Sequence, residues 1–167
     1  MDTSFERNKT GKDEWLTPPE LIRALGKFDL DPCSPVKRPW DTATKHFTLL
    51  DNGLTKPWTG RVWCNPPYGN ETNLWLDKCV AHGNCIALTF ARTETKMFFE
   101  QVWSKADAVL FLKGRIRFYH SNGTQGDSAG APSVLIAYGI KNAEILEKSK
   151  LNGKFIWVKK WDKLTLL

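Results

Sequence analysis

No apolar run in the sequence approaches the roughly 18 residues a membrane span needs, so no span is expected. The opening, MDTSFERNKTGKDEW, has no apolar h-region, which argues against a secretory signal and for a cytoplasmic protein. The four cysteines, Cys33, Cys64, Cys79 and Cys85, form no C-x-x-C pair and have no ligand histidines nearby. Neither a zinc site nor a disulfide framework is expected; free thiols in a reducing compartment are. Histidine is scarce: His46, His82 and His120 stand apart, without a triad partner, and are assigned no chemistry. There is no internal repeat and no low-complexity tract. With 41% hydrophobic and 25% charged residues over 167 positions, wholesale disorder is excluded and one domain around one core is expected.

Basic charge and tryptophan are plentiful. Lys and Arg number 24 against 18 Asp and Glu, a net of +6, which favours a polyanionic partner without establishing one. The eight tryptophans serve a core, but also offer flat faces for bases and cofactor rings.

Residues 1–14 read as a loose arm and 15–167 as a single domain. TPPELIRALGKF predicts a helix capped by Thr17, with Leu21, Ile22 and Leu25 inward and Gly26 as its stop. FDLD is a short strand ended by Pro32, and residues 32–57, with four prolines, read mostly as loop apart from a short strand near His46–Leu49. GRVWC is a strand. Asn70–Ala81 is a helix with Leu74, Trp75 and Leu76 near its apolar face. NCIALTFA is a buried strand, and TETKMFFEQVWSK a helix with Met97, Phe98, Phe99 and Val102 turned inward. DAVLFLKG, PSVLIAYG and KFIWVKKW are further strands. Between the first two lies RIRFYHSNGTQGDSAGA, basic and aromatic, then rich in Gly and Ser. The alternation gives an α/β class with a mainly parallel sheet, and such sheets bind ligands at the carboxyl ends of their strands.

The stretch RVWCNPPYGN places Asn65 at such an end, and Asp31 and Phe90–Arg92 open into the same crevice. Each proline fixes φ and removes an N–H, so the Pro66 carbonyl is aimed by a stiff backbone with no local donor competing for it. The Asn65 side chain adds a second acceptor oxygen. Two acceptors held close can grip one exocyclic NH2, and Tyr68 adds a face on which a base can stack. The arrangement fits a planar amine such as N6 of adenine. The alternative is a structural Pro-Pro turn.

NPPY after a hydrophobic strand resembles the catalytic motif of S-adenosylmethionine-dependent amino-methyltransferases. The ordered set DEWLTPPELIRAL, FDLDPC, HFT…DNGL…PWTGRVWCNPPYG, TFARTETKMFFEQVW, FLKGRIRFY and GAPSVLIAYG is similar to the compact phage-type DNA N-6-adenine-methyltransferases, from about Asp13 to Gly139. The resemblance implies a Rossmann-like fold, compact enough that one or two of the usual strands are vestigial. It implies Asn65, Pro66, Pro67 and Tyr68 as the catalytic tetrapeptide. It places Asp31, Pro32 and Cys33 in the S-adenosylmethionine pocket, with Trp15, Thr17 and Pro18 closing over the methionine part. It implies double-stranded DNA as partner, and a monomer is expected. DPCSPVKRP stands where a Gly-rich turn is usual. The ribose-binding acid is unassigned, and Asp51 reads better as a solvated loop residue. The same architecture also serves cytosine N4, RNA and protein amides, and a silent nucleic-acid-binding module is the alternative of a different class.

Other candidates remain two-sided. Asp29 and Asp31 share one strand face, and Asp31 is favoured because Pro32 marks the strand end. Arg92 is either a salt-bridge residue or a contact at the crevice mouth. Lys113, Arg115 and Arg117 alternate with Ile116 and Phe118. That is either a solvated amphipathic strand, or a phosphate-contacting edge with Phe118 or Tyr119 walling the base pocket.

Overall fold

The computed structural model describes residues 14–159. The arm expected over 1–14 lies outside it except for Glu14, as does the tail of the last predicted strand beyond Lys159. The strands are β1 (Trp15–Leu16), β2 (Leu30–Asp31), β3 (Lys45–His46), β4 (Val62–Cys64), β5 (Cys85–Phe90), β6 (Ala108–Leu112), β7 (Arg117–His120), β8 (Gln125–Ser128), β9 (Ser133–Tyr138) and β10 (Gly153–Trp157). The helices are α1 (Pro19–Leu25), α2 (Thr72–His82), α3 (Lys96–Phe98, continued by a π turn over Phe99–Trp103) and α4 (Ile140–Lys148).

Seven strands form the main sheet in the order β10-β6-β9-β5-β4-β2-β3. Their apolar runs alternate between two faces, as a pleat requires. Val62 and Cys64, Cys85 and Ala87, and Val134 and Ile136 join α2 and α3 on one side. Trp63, Ile86 and Leu88, and Leu135 and Ala137 join α1 and α4 on the other. Both faces are covered, which explains why β5 and β9 read as continuous hydrophobic runs.

The sheet is mixed rather than mainly parallel. The pairs β2–β3, β2–β4 and β4–β5 are parallel, while β5–β9, β6–β9 and β10–β6 are antiparallel. The parallel expectation holds for the half that carries NPPY. β2 and β3 have only two residues each, and no helix links β2 to β3 or β3 to β4 among the described residues. A short, proline-rich stretch has no room for ordinary crossovers.

A second sheet, β1-β7-β8, was not legible in the sequence. Trp15 pairs with His120 and Leu16 with Tyr119, so the segment before α1 is stitched to the basic hairpin. At Gly126 in β8 a side chain would sit 2.7 Å from the Trp15 ring and 3.1 Å from the Phe118 carbonyl, so only glycine lets the hairpin lie that close.

Three side-chain expectations are corrected. Leu74 is 54% exposed and Phe99 56% exposed, while Thr72, Trp75, Leu76 and Cys79 face inward on α2 and Phe98 and Val102 on α3. The π turn holds Phe99 outward, with the Ser104 N–H and hydroxyl both donating to its carbonyl, at 3.2 and 2.6 Å. Thr17 does not cap α1: Pro18 holds the N-cap position and Thr17 is buried.

Candidate active site

β4 delivers Asn65 to the carboxyl edge of the parallel half, between the ends of β2 and β5. The turn that follows is closed by Thr72, whose hydroxyl donates to the Pro67 carbonyl (2.7 Å) and accepts from the Gly69 N–H (3.1 Å). Pro66 is buried and Pro67 exposed. Among the described residues no donor takes the Pro66 carbonyl. The Asn65 amide donates through Nδ2 to Thr17 Oγ1 at 3.3 Å, and its Oδ1 receives only a long contact from the Tyr68 hydroxyl, 3.5 Å. Burial raises the Tyr68 pKa, so the phenol stays protonated and can donate. The Tyr68 ring lies parallel to Phe90, with centroids 4.1 Å apart and planes 4° apart. Arg92, exposed, holds its guanidinium 5.9 Å from the Phe90 ring centre, at the end of the same strand.

The β2 end is joined to this turn. The Cys33 thiol donates to the Asn65 carbonyl at 3.1 Å, and burial raises its pKa well above the usual range, which keeps that proton in place. The Cys33 N–H donates to Asp31 Oδ1 at 3.2 Å, and the Thr42 hydroxyl donates to Asp31 Oδ2. Asp31 is 4% exposed. Its burial pushes the carboxyl up to about 6, against the opposing pull of Thr42, the Cys33 N–H and the Arg38 charge. The two aspartates of FDLD separate: Asp29 is exposed and accepts from the Arg61 N–H at 2.7 Å. Asp51 is exposed and caps its own turn through Thr48. All four cysteines are free thiols.

Trp15, half-buried, packs on His120 with ring centres 4.6 Å apart. Sequence reasoning missed Trp40, whose indole donates to the Thr17 carbonyl at 3.3 Å and whose ring meets Tyr119 edge-on at 5.0 Å. It also missed Thr42, Thr72 and the stacking role of Phe90. The only signal for Trp40 was an aromatic residue in a proline-rich loop.

Arg115 and Arg117 are exposed and lie along the hairpin, donating to the Ala129 and Gly126 carbonyls at 3.3 and 3.1 Å. With Lys113, Gln125, Glu20 and Pro18 they line a groove of about 370 Å³, and Pro18 adjoins Thr17. Phe118 is 6% exposed and packs with Leu21, Ile22 and Leu25, so it serves the core and not a base pocket.

The family model for DNA N-6-adenine-methyltransferase (Dam) matches residues 5–152. The chain belongs to this family. Neither a curated protein nor a solved structure matches it. As a Dam-family DNA adenine-N6 methyltransferase, the protein has its Asn-Pro-Pro-Tyr turn where the parallel strands end. No helix among the described residues is long and apolar enough to cross a membrane.

Proposed function

We propose that this Dam-family enzyme, acting as a monomeric single domain, moves a methyl group from S-adenosylmethionine to N6 of an adenine flipped out of duplex DNA. The observation that carries this reading is a single proline-stiffened turn that bears Tyr68 and two lightly engaged acceptors: the Pro66 carbonyl, which no donor takes among the described residues, and Asn65 Oδ1, which receives only the long Tyr68 contact. An exocyclic amino group offers two N–H donors and would meet both. The acceptors bind most strongly as positive charge develops on nitrogen, so they stabilise the transition state more than the ground state. The surplus proton is lost to solvent after transfer. N6 is unreachable inside the stack, which is why the base must leave it.

The residues at the ends of β1 and β2 fit a cationic donor. Asp31 supplies a buried carboxylate, and a hydrogen-bonded chain runs from Thr42 through Asp31, Cys33 and Asn65 to Thr17. Trp15, Thr17, Pro18, Asp31, Pro32 and Cys33 would hold S-adenosylmethionine, which when bound supplies an electrophilic methyl group. The main sheet supports a Rossmann-like reading: four parallel strands, helices on both faces, and antiparallel β9 between β5 and β6.

The test is transfer of labelled methyl to unmethylated duplex, single-stranded DNA and RNA, with analysis of the modified base. N6-methyladenine formed in the duplex is expected. N4-methylcytosine, label confined to RNA or protein, or no transfer would overturn the reading.

Asp31 makes cofactor affinity depend on pH. Its folded pKa, about 6, lies above the ordinary aspartate range, so ionisation costs stability of the unliganded fold progressively from about pH 4 to 6, and that cost is constant above. A cationic ligand binds the ionised form. Affinity is therefore expected to be full above about pH 6 and to fall as pH drops below it. Titration calorimetry across that range should show the slope in the wild type and its absence in Asp31→Asn, whose affinity is uniformly lower.

The basic groove makes DNA affinity depend on salt. Arg117→Ala is expected to weaken binding to all duplex sequences alike and to reduce the slope of log K against log salt by about 1, as loss of one phosphate contact does. Fluorescence anisotropy at several salt concentrations measures it. An unchanged slope would leave Arg117 as a hairpin residue bonded to Gly126.

A further inference from the structure

We propose that Thr17 is a positioning residue that holds the Asn65 side chain in place with its amide Oδ1 left for the substrate, an inference that rests on Asn65 as acceptor of the amino group. The two ends of a primary amide have opposite polarity: Oδ1 accepts and Nδ2 donates. The incoming amino group brings hydrogens, so only an outward Oδ1 is productive. An outward Nδ2 would set donor against donor.

In the structure Nδ2 is taken up by Thr17 Oγ1 at 3.3 Å, across 48 residues of sequence, and Oδ1 is left with the long Tyr68 contact. The hydroxyl that does this is itself fixed. Thr17 is 2% exposed. Leu16 before it pairs with Tyr119, Pro18 after it begins α1, and the Trp40 indole holds its carbonyl. A valine here would fill the same volume but offer no acceptor. The amide would then lose the buried partner that pins it and be free to swing away from the substrate. Serine keeps the acceptor.

Single-turnover methylation of a duplex at saturating S-adenosylmethionine tests this, with calorimetric cofactor affinity measured on the same samples. Thr17→Val is expected to slow the chemical step by roughly 10- to 100-fold at saturating S-adenosylmethionine, a loss that extra cofactor does not restore whatever the change in cofactor Kd. Thr17→Ser should recover most of the rate. In an Asn65→Ala background, Thr17→Val should add nothing, because its effect passes through Asn65. Thr17→Ala replaces Thr17→Val in every comparison should the latter fail to fold. A weakened cofactor Kd with normal turnover at saturation would overturn the proposal and place Thr17 in cofactor binding alone. An equal loss in the Asn65→Ala background would overturn it too. Near-normal turnover by Asn65→Ala alone defeats the underlying reading of Asn65 instead, so the two failures are distinct.

Discussion

Asn65→Ala is expected to lose roughly 10²–10³-fold in turnover, about 2.7–4 kcal/mol, the scale seen when a single preorganised hydrogen-bonding group is deleted from an active site. On the proposed reading, the substitution removes one of the two acceptors that would meet the amino group and leaves the Pro66 carbonyl in place. Its effect should fall on the chemical step. The Asn65 main-chain carbonyl, which holds the Cys33 thiol, survives in alanine, so the β2 end stays anchored and cofactor affinity should change little. Tyr68 supplies the comparison. Tyr68→Phe keeps the ring that stacks on Phe90 and should remain substantially active, whereas Tyr68→Ala loses the stacking face and should bind the flipped base poorly. Single-turnover methylation with thermal melts on every variant checks the order Tyr68→Phe above Tyr68→Ala, with Asn65→Ala nearly inactive yet able to bind cofactor. Near wild-type methylation by Asn65→Ala would reduce NPPY to a stiff turn.

Gly53→Ala is expected to damage the site from outside it. A side chain at Gly53 would lie 2.0 Å from the Pro32 carbonyl oxygen, and that neighbour is backbone that cannot rotate away. The alternative is for the 53–56 loop to retreat. There it is held by the Trp58 indole on the Gly53 carbonyl at 2.9 Å and by the Lys78 ammonium on the carbonyls of Gly53 and Leu54, at 3.2 and 2.7 Å. Either route breaks designed contacts, so the variant should lose about 1–3 kcal/mol of stability, the usual cost of overpacking. Because Pro32 precedes Cys33, the displacement should reach the Cys33 bonds to Asp31 and Asn65 and weaken cofactor binding. Denaturant melts and calorimetry on the folded fraction would show both effects. Wild-type stability and affinity together would mean the loop yields freely.

What the sequence made legible follows from the range of the interactions. β4, β5, β6 and β9 were recognisable because fully buried strands are continuously apolar, a local property. The Asn65–Tyr68 turn was recognisable because proline stiffness acts within the tetrapeptide. Asp31 was preferred over Asp29 from the position of Pro32, and burial separates them in that sense. What was hidden depends on distant partners. Thr17 reads as a helix cap, since a threonine before Pro-Pro-Glu has that local signature. Its actual bond to Asn65 exists only because β1 docks on β7. Phe118 reads either as the apolar face of an amphipathic strand or as a wall of the base pocket, and it is core because α1 lies against it. The antiparallel half of the sheet was missed because an apolar run carries no information about strand direction. The π turn was missed because its hydrophobic spacing still suits a regular helix at Phe98 and Val102.

The stitching of Trp15 to His120 and Leu16 to Tyr119 also bears on the order in which the molecule forms. These partners lie far apart in the chain, and closing a long loop costs entropy before any contact repays it. During synthesis, residues 15–17 leave the ribosome long before the hairpin exists, so Thr17 has no station to occupy until β7 emerges. The candidate site is thus completed by a late docking of the earliest-made described segment. Two-residue pairing gives that segment little independent protection, and its amides should exchange with solvent well before those of β5 and β9.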